Sequence, residues 1–309
     1  MTTARTAQPR RKGRIKSSWS DRAFDSLSTL LLTAILLAIA LPLMYVVSCS
    51  LSSGAAVAGG RVWIWPVDLS LEAYRAVFDY RAIWIGYYNT LCYTAAAMCF
   101  SVSMTLLAAY PLSRRDFGMR RAYMRIFTFT MLFSGGLIPY YITVQGLGLV
   151  NTFWAMVIPG GLSVWNVIIT RTFFEQTLSG EILDAAQIDG CTDFGFFLRI
   201  ALPLSGAIIA VNALFYAVGK WNAYFDALIL LREADRMPLQ IILRRILILN
   251  SVDKQMTATA GAVAEAELSR LRELIKYALI IVSSLPVLCL YPFVQKYFVR
   301  GLMIGSVKG

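Results

Sequence analysis

Three carboxylates stand close together in the segment EILDAAQIDGCTDFGFFLRIALPLS, residues 181–205. Glu181, Asp184 and Asp189 fall within its first nine residues, although strongly apolar stretches lie on both sides. The alanines at 185 and 186 add little side-chain bulk, so another surface can approach the backbone closely. The segment suits contact with a partner, and an ordinary amphipathic loop helix has the same spacing.

Several chemistries are excluded by composition. Histidine is absent from the 309 residues, which removes His-based acid–base catalysis, Ser-His-Asp triads and most zinc catalysis. The five cysteines show no CxxC pair and no regular spacing, which argues against a disulfide framework or a zinc site. No GxxxxGK[ST] motif occurs, so this chain has no P-loop for ATP. We predict no catalytic residue, no metal and no cofactor.

Membrane spans must position the acidic segment. The chain is 58% apolar and 15% charged, whereas soluble domains are roughly a quarter charged. A span needs about 20 apolar residues. We predict an all-α membrane protein with six transmembrane helices, at about 27–51, 86–112, 126–144, 152–174, 203–231 and 274–295.

The first apolar run has two interpretations. Its end, VVSC at 46–49, resembles the lipobox of a cleaved lipoprotein signal. The run is longer than the 7–15 residues of a usual signal core, and further spans follow it. We therefore predict an uncleaved first helix.

The basic residues predict that both termini are cytoplasmic. Of 29 Lys and Arg, 17 fall in the segments assigned to the inside, and 11 fall in the outer segments 50–85 and 231–276. The inside segments are 1–26, 113–125, 171–200 and 296–309. This distribution explains the net charge of +11 without a nucleic-acid surface, and it places the acidic segment in the cytoplasm.

Glycine and proline interrupt the predicted third and fourth spans. They occur at 135, 136 and 139 and again at 159–161. One interpretation is broken helices that line a pathway. The other is close helix packing, with kinks satisfied by neighbouring helices. Because small residues are common at any membrane-helix interface, we favour packing.

The acidic segment predicts a short helix over residues 180–189. Ser179 suits its N-cap, and Glu181 would lie in the first turn, where a carboxylate interacts favourably with the helix dipole. Gly190 permits a sharp turn at positive φ. Pro203 suits the first turn of the fifth span. We expect a helix that lies parallel to the membrane and is tied to two spans.

The same segment resembles the EAA loop of ABC importer permeases. That pattern is E-A-A, three residues, G, nine residues, then I-x-L-P. Here DAA at 184–186, Gly190 and IALP at 200–203 match every spacing. Asp184 replaces the family's glutamate, which keeps the charge and shortens its reach.

The resemblance covers nearly the whole chain. AAYPLSRRDF, MLFSGGLIPYYI, LGLVNTFWAMVIPGGLSVWNVIITRTFF, GKWNAYFDAL and YFVRGLMIGSVKG all look like carbohydrate importer permeases. The subgroup is the one associated with complex or acidic oligosaccharides such as polygalacturonate, rhamnogalacturonan or alginate fragments. The resemblance implies a type I importer fold that spans the lipid of the bacterial cytoplasmic membrane several times. It also implies as partners a second permease, two ATPase subunits and an extracellular solute-binding protein.

The resemblance further implies roles for particular residues. The ATPases would grip the EAA loop through Glu181, Asp184, Ala185, Ala186, Asp189, Gly190, Ile200 and Pro203. The end of the chain would also reach toward them, through Gly305, Ser306, Val307, Lys308 and Gly309. The expected organisation is a basic tail at 1–26, a permease domain at 27–298 with its coupling loop at 178–205, and a tail at 299–309.

Polar side chains inside the apolar runs are candidate pathway residues, because such groups are costly in a membrane. They are Asn89, Asn166, Asn212, Lys220, Asn222 and Asp226, and Trp221 adds an aromatic face on which sugars can pack. Lys220 would attract a uronate carboxylate; the alternatives are snorkelling or pairing with a neighbour. Lys220 and Asp226 are six residues apart and share no helical face, so we expect no intrahelical pair.

The predicted function is a non-catalytic permease subunit of an ATP-driven oligosaccharide importer. An ion-driven secondary transporter is the rival, and it would leave the EAA segment unexplained. A membrane-embedded enzyme is disfavoured by the absence of histidine and of a clustered acid pair in the spans.

Overall fold

The computed structural model describes residues 18–256, 274–289 and 292. This part of the chain is mostly helical and has no β-strand beyond an isolated bridge between Ser52 and Leu69. The longer helices are α1 (Trp19–Ser50), α2 (Glu72–Asp79), α3 (Arg81–Ser113), α4 (Arg120–Leu132), α5 (Leu137–Gly146), α6 (Val164–Thr177), α7 (Gly180–Ile188), α8 (Gly206–Trp221), α9 (Leu239–Met256) and α10 (Leu274–Cys289).

Short turns of helix stand between these elements. They are Gly54–Ala58, Trp154–Val157, Asp193–Phe196, the π-helical turn Phe197–Ala201, Leu202–Leu204, Phe225–Leu230 and the 3₁₀ turn Ala234–Arg236.

Two of the described helices, α1 and α3, are each long and apolar enough to cross a membrane. Their 32 and 33 residues extend about 50 Å at a rise of about 1.5 Å per residue. They correspond to the predicted first and second spans. The apolar stretch of α1 is exposed along its length, whereas a third of the stretch in α3 is buried within the chain.

The predicted third span, 126–144, is not one continuous helix. It divides into α4 and α5, which are bent by 117° at the residues between them. Gly136 has a φ of +85°, which a right-handed helix cannot contain. The fourth predicted span, 152–174, is broken too, because Gly160 has a φ of +68° between Trp154–Val157 and α6.

The predicted fifth span, 203–231, is broken twice. The stretch 193–204 and α8 are bent by 79° at Ser205, so Pro203 lies before the bend and not in the first turn of a long helix. A second break follows Trp221, after which Phe225–Leu230 forms a separate short helix. The predicted sixth span is α10 through Cys289; of 290–295, only residue 292 is described.

Different glycines account for the breaks in the helices and for the close packing. A Cβ atom on Gly161 would lie 2.6 Å from Phe100 Cε1 and 2.9 Å from the Ile158 carbonyl oxygen, so this glycine is needed for packing. A Cβ atom on Gly136 or Gly160 would meet nothing within 4 Å. Those two glycines are therefore needed for their backbone angles, and the favoured prediction of packing holds only at Gly161.

Helix α3 is the centre of the described bundle, and α6, α8 and α9 all pack on it. The first half of α3 contributes to one apolar cluster, called here the outer cluster, which includes Ile83, Tyr93, Trp221, Leu239 and Leu279. Its second half contributes to another, the inner cluster, which includes Leu106, Ala109, Phe174, Ala186 and Phe196. Because α3 enters both clusters, it links the acidic segment to the far end of the bundle.

Candidate functional site

The acidic segment forms helix α7, which ends at Ile188, one residue before the predicted end. Ser179 is the N-cap residue, with an extended backbone, but its side chain makes no capping hydrogen bond. Glu181 lies in the first turn, as predicted, where a carboxylate interacts favourably with the helix dipole. Leu183 and Ala186 face the inner cluster, and Ala186 is only 6% exposed.

Gly190 ends α7 in the left-handed conformation that the sequence predicts, with a φ of +75°. Its N–H donates to the carbonyl oxygen of Gln187 at 3.0 Å, and the N–H of Cys191 donates to that of Ala186 at 2.9 Å. This pair of bonds is a Schellman motif, which satisfies carbonyl groups at the end of a helix. The turn fixes the direction in which the chain leaves α7.

The outward side of α7 is acidic with an apolar end. Glu181, Asp184, Ala185 and Asp189 are exposed, and so is Ile188, whose side chain is 86% exposed. This side of α7 therefore combines carboxylates with one exposed apolar side chain. The sequence shows this residue, but only the burial of Ala186 reveals which side of the helix faces outward.

The remaining residues predicted to contact the ATPases differ in their exposure. Gly190 and Pro203 are exposed, whereas Ile200 is half-buried and packs against the inner cluster. Ala186 points inward, so its methyl group anchors α7 and does not form part of the outward surface. Residues 305–309, the predicted contact tail, lie outside the described residues, as do residues 1–17 of the basic tail.

Arg114, which contributes to the predicted membrane orientation but to no predicted site, lies beside this segment. Arg114 follows α3, and its guanidinium donates to both carboxylate oxygens of Asp116 at 2.8 and 2.6 Å. It also donates to the hydroxyl of Tyr110 at 3.2 Å and forms an ion pair with Asp193 at 3.2 Å. The hydrogen bond from Arg114 holds the pKa of Asp116 below its usual value, and the reciprocal bond raises the pKa of Arg114.

Lys220 and Asp226 form an ion pair between two separate helices, which is the pairing with a neighbour that the sequence left open. Lys220 Nζ lies 4.0 Å from Asp226 Oδ2 and donates to the carbonyl oxygen of Pro159 at 3.1 Å. The Tyr140 hydroxyl donates to Asp226 Oδ1 at 3.2 Å. The prediction assumed one helix over 203–231, but the chain turns after Trp221 and brings Asp226 back toward the lysine.

The other candidate pathway residues are separated from this pair. Asn89 donates to the backbone carbonyls of Asp235 and Met237, at 2.7 and 3.1 Å. Asn212, which is buried, donates to Thr170 Oγ1 at 2.7 Å. Asn166 is also buried. Asn89 and Asn212 therefore bond to different elements of the bundle.

Trp221 and Asn222 lie beside a cleft of about 340 Å³ between the end of α8, the start of α9 and α10. The cleft is also lined by Gln240, Ser283, Ser284, Val287 and Leu288. The Trp221 ring is buried, and its N–H donates to the carbonyl oxygen of Ser283 at 3.0 Å. Asn222 is exposed and donates to Val218 of its own helix. Of the two, only Asn222 has a side chain open to a ligand.

No metal centre occurs among residues 18–256, 274–289 and 292: no three His, Cys, Asp or Glu side chains are grouped as metal ligands would be. The arrangement suits contact with a partner and movement. Its parts are an exposed acidic helix, an arginine beside it, and a bundle whose apolar segments are broken.

Known proteins are similar along nearly the full length. No protein-family model matches the chain. Protein LplC of Bacillus subtilis (strain 168) is 39% identical over 294 residues, which cover 94% of this chain and 96% of the relative. The polygalacturonan/rhamnogalacturonan transport system permease protein YtcP of the same organism is 38% identical, with 94% and 99% covered.

A solved structure shares the fold. It is the crystal structure of a bacterial ABC transporter involved in the import of the acidic polysaccharide alginate. One of its chains is 34% identical to this chain, with a TM-score of 0.81, and the match covers 91% of this chain and 99% of that one.

An EAA-type helix seated on a bundle of broken apolar segments defines the class as an ABC transporter permease. Within that class, the chain belongs to the permease family of sugar-importing ABC transporters. The family resemblance predicted from the sequence is confirmed.

Replacing Gly190 with alanine should loosen α7. A non-glycine residue in the left-handed region costs about 1–2 kcal/mol, and no neighbour within 4 Å would be displaced. Hydrogen exchange of the α7 amides in the purified protein should accelerate about 5- to 30-fold. Gly180→Ala is the matched control, because that glycine also meets open space and begins α7 without a positive φ. Equal exchange in the two variants would contradict this account of Gly190.

Neutralising one member of the Lys220–Asp226 pair should destabilise the bundle more than neutralising both. Lys220→Met leaves the Asp226 carboxylate without its cation, and Asp226→Asn leaves the lysine without its anion, each costing about 2 kcal/mol. The double variant removes both charges and should melt closer to the unsubstituted protein in detergent. Asn222→Ala provides the exposed control. A double variant that loses the sum of the two single effects would refute the pair.

Proposed function

We propose that the chain forms, with a second homologous permease, the pathway of an importer for acidic oligosaccharides. The chain is a transport component of the family and not a catalyst. In the proposal, two separate ATPase subunits hydrolyse ATP, and an extracellular solute-binding protein delivers the sugar. The chain lies in the bacterial cytoplasmic membrane with six spans and both termini in the cytoplasm. The family relationship and the membrane-length helices support this arrangement.

The exposed acidic side of α7 is the observation that carries the proposal. Glu181, Asp184 and Ile188 point away from the chain, while Ala186 and the Gly190 turn fix the helix from beneath. An exposed surface on a helix that is packed firmly against the bundle suits a partner that must bind the helix and move it. The match to the EAA pattern makes an ATPase that partner.

The position of α7 in the bundle supports a cytoplasmic location. It packs into the inner cluster with the second half of α3. The five arginines of residues 113–125 follow directly after α3. An excess of Lys and Arg marks the cytoplasmic side. We therefore propose that α7, the end of α3 and these arginines all lie at the cytoplasmic face.

Movement of α7 would then travel through the inner cluster. Ala186 of α7, Phe174 of α6 and Leu106 of α3 share that cluster, so displacement of one helix pushes on the others. The breaks at Gly136 and Gly160 allow the apolar segments on either side to reorient as separate pieces. We propose that alternation between outward- and inward-open states uses these breaks.

We propose that the predicted pathway residues play different roles in sugar transport. Lys220 and Asn222 are the proposed direct sugar contacts, since Lys220 carries positive charge within the bundle and Asn222 is exposed beside a cleft. Asp226 holds Lys220 in place. Asn166, Asn212 and Trp221 are buried, which favours a positioning role for them, and both N–H groups of the Asn89 amide are taken up by backbone carbonyls.

Charge reversal on α7 should separate the chain from its ATPases. Glu181→Lys with Asp184→Lys places two cations on the outward surface, so retention of the ATPase subunits and sugar uptake in proteoliposomes should fall at least about tenfold. Glu72→Lys with Asp79→Lys is the matched control on α2, where both acids are exposed. Deleting 181–190 should abolish both measurements, and normal uptake after that deletion would overturn the proposed function.

The charge of the sugar should matter at Lys220. A uronate oligosaccharide and its carboxyl-reduced neutral counterpart have the same length and differ in charge. Lys220→Gln should slow uptake of the acidic sugar about tenfold more than that of the neutral one, because a hydrogen bond to a charged group contributes about 1.5–3 kcal/mol. The uptake rate of each sugar by the variant is divided by its uptake rate by the unsubstituted transporter, so the preference of the binding protein cancels. Equal slowing of both sugars would remove Lys220 from carboxylate recognition.

A further inference from the structure

Arg114 is the most enclosed charge at the end of the bundle that carries α7. It lies one residue past the end of α3, and its side chain is only 12% exposed, although Asp116 and Asp193 are 62% and 73% exposed. The guanidinium carbon lies 6.0 Å from the centroid of the Tyr110 ring, which shields it. The guanidinium of Arg114 is thus enclosed by its surroundings, although the two carboxylates that it binds are exposed.

The Tyr110 ring joins α3 to two other elements. It lies 5.9 Å from the Phe174 ring of α6, and 4.9 and 6.4 Å from the rings of Phe197 and Phe196. Phe196 and Phe197 belong to the stretch that follows α7. Rings at these distances interlock, and the Tyr110 hydroxyl accepts a hydrogen bond from Arg114. Tyr110 therefore contacts both the aromatic rings of the other two elements and the guanidinium of Arg114.

Asp193 brings the same stretch to the arginine from the other side. It begins the turn Asp193–Phe196, whose N-cap Thr192 accepts a hydrogen bond from the Gly195 N–H at 3.1 Å. That turn starts directly after Gly190 and Cys191, which close α7. The carboxylate of Asp193 is thus placed at a fixed offset from the end of α7.

We propose that Arg114 is a positioning residue for coupling, which ties the stretch after α7 to the end of α3. Displacement of α7 by an ATPase then displaces α3, and α3 carries the movement to α6, α8 and α9. The inference rests on the proposed function, since it needs an ATPase that moves α7. It adds a residue that the EAA pattern does not contain.

The chemistry explains why an arginine stands here. A guanidinium has five N–H donors in a planar fork, so it can bind both oxygens of Asp116 and still reach Tyr110 and Asp193. A lysine ammonium carries one compact charge and cannot bind all three groups in that geometry. Asp116 holds the guanidinium plane, and Asp193 is the partner that moves with α7.

The test measures coupling apart from assembly. The whole transporter, with its ATPases and binding protein, is reconstituted in proteoliposomes, and the sugar imported per ATP hydrolysed is measured. Arg114→Met should retain the ATPase subunits while this ratio falls about fivefold. Arg114→Lys should fall less, because it restores the charge without the fork. Asp193→Asn alters only the exposed partner, which leaves the fold intact, and should also lower the ratio.

The double variant of Arg114→Met and Asp193→Asn should be no worse than Arg114→Met, because both changes break one interaction. Arg61→Met is the control, since Arg61 forms an exposed ion pair with Asp68 between α1 and α2 and should leave the ratio unchanged. An unchanged ratio in Arg114→Met and Asp193→Asn, whether or not ATPase retention falls, would overturn the inference alone. Failure of the unsubstituted chain to retain ATPases would overturn the proposed function as well.

Discussion

The burial of one methyl group, that of Ala186, determines which side of α7 faces outward. Ala186 enters the inner cluster and so fixes the rotation of α7 about its own axis. With that rotation fixed, Glu181, Asp184 and Ile188 face outward. Because α7 is only nine residues long, it is too short to be stable alone, and its packing must supply the stability. The outward surface of α7 therefore exists only as part of the whole bundle.

The cost of polar groups in a membrane explains the second feature of the structure. Every break in an apolar helix frees carbonyl groups that need partners. Lys220 supplies one such partner, since it donates to the carbonyl oxygen of Pro159 at the break before Gly160. Asp226 then balances the lysine, and Tyr140 donates to Asp226. One ion pair and its hydrogen bonds thus connect four separate pieces of backbone, which a continuous bundle would not need.

The sequence predicts local structure here better than it predicts contacts. The short helix that begins at residue 180 and the positive φ of Gly190 follow from residue type and spacing, whereas the family follows from the resemblance to known permeases, and each is confirmed. The sequence excluded an intrahelical pair of Lys220 and Asp226, but it did not show that the break after Trp221 brings the two side chains together from separate helices. Arg114 and Asp193 were not connected, since they are far apart in sequence and meet only when the bundle folds.

Rigidity and freedom are distributed along the chain in a way that suits a driven transporter. Around α7 and the end of α3, rings, a guanidinium and a Schellman turn hold the parts together. Farther along the bundle, Gly136 and Gly160 divide the apolar segments, and a loose ion pair at 4.0 Å bridges the pieces. Force applied at a flexible end would be lost in local bending. Under the proposed function, a stiff end joined to a segmented middle would instead convert a push on α7 into rotation at the breaks, which is the movement that we propose for alternating access.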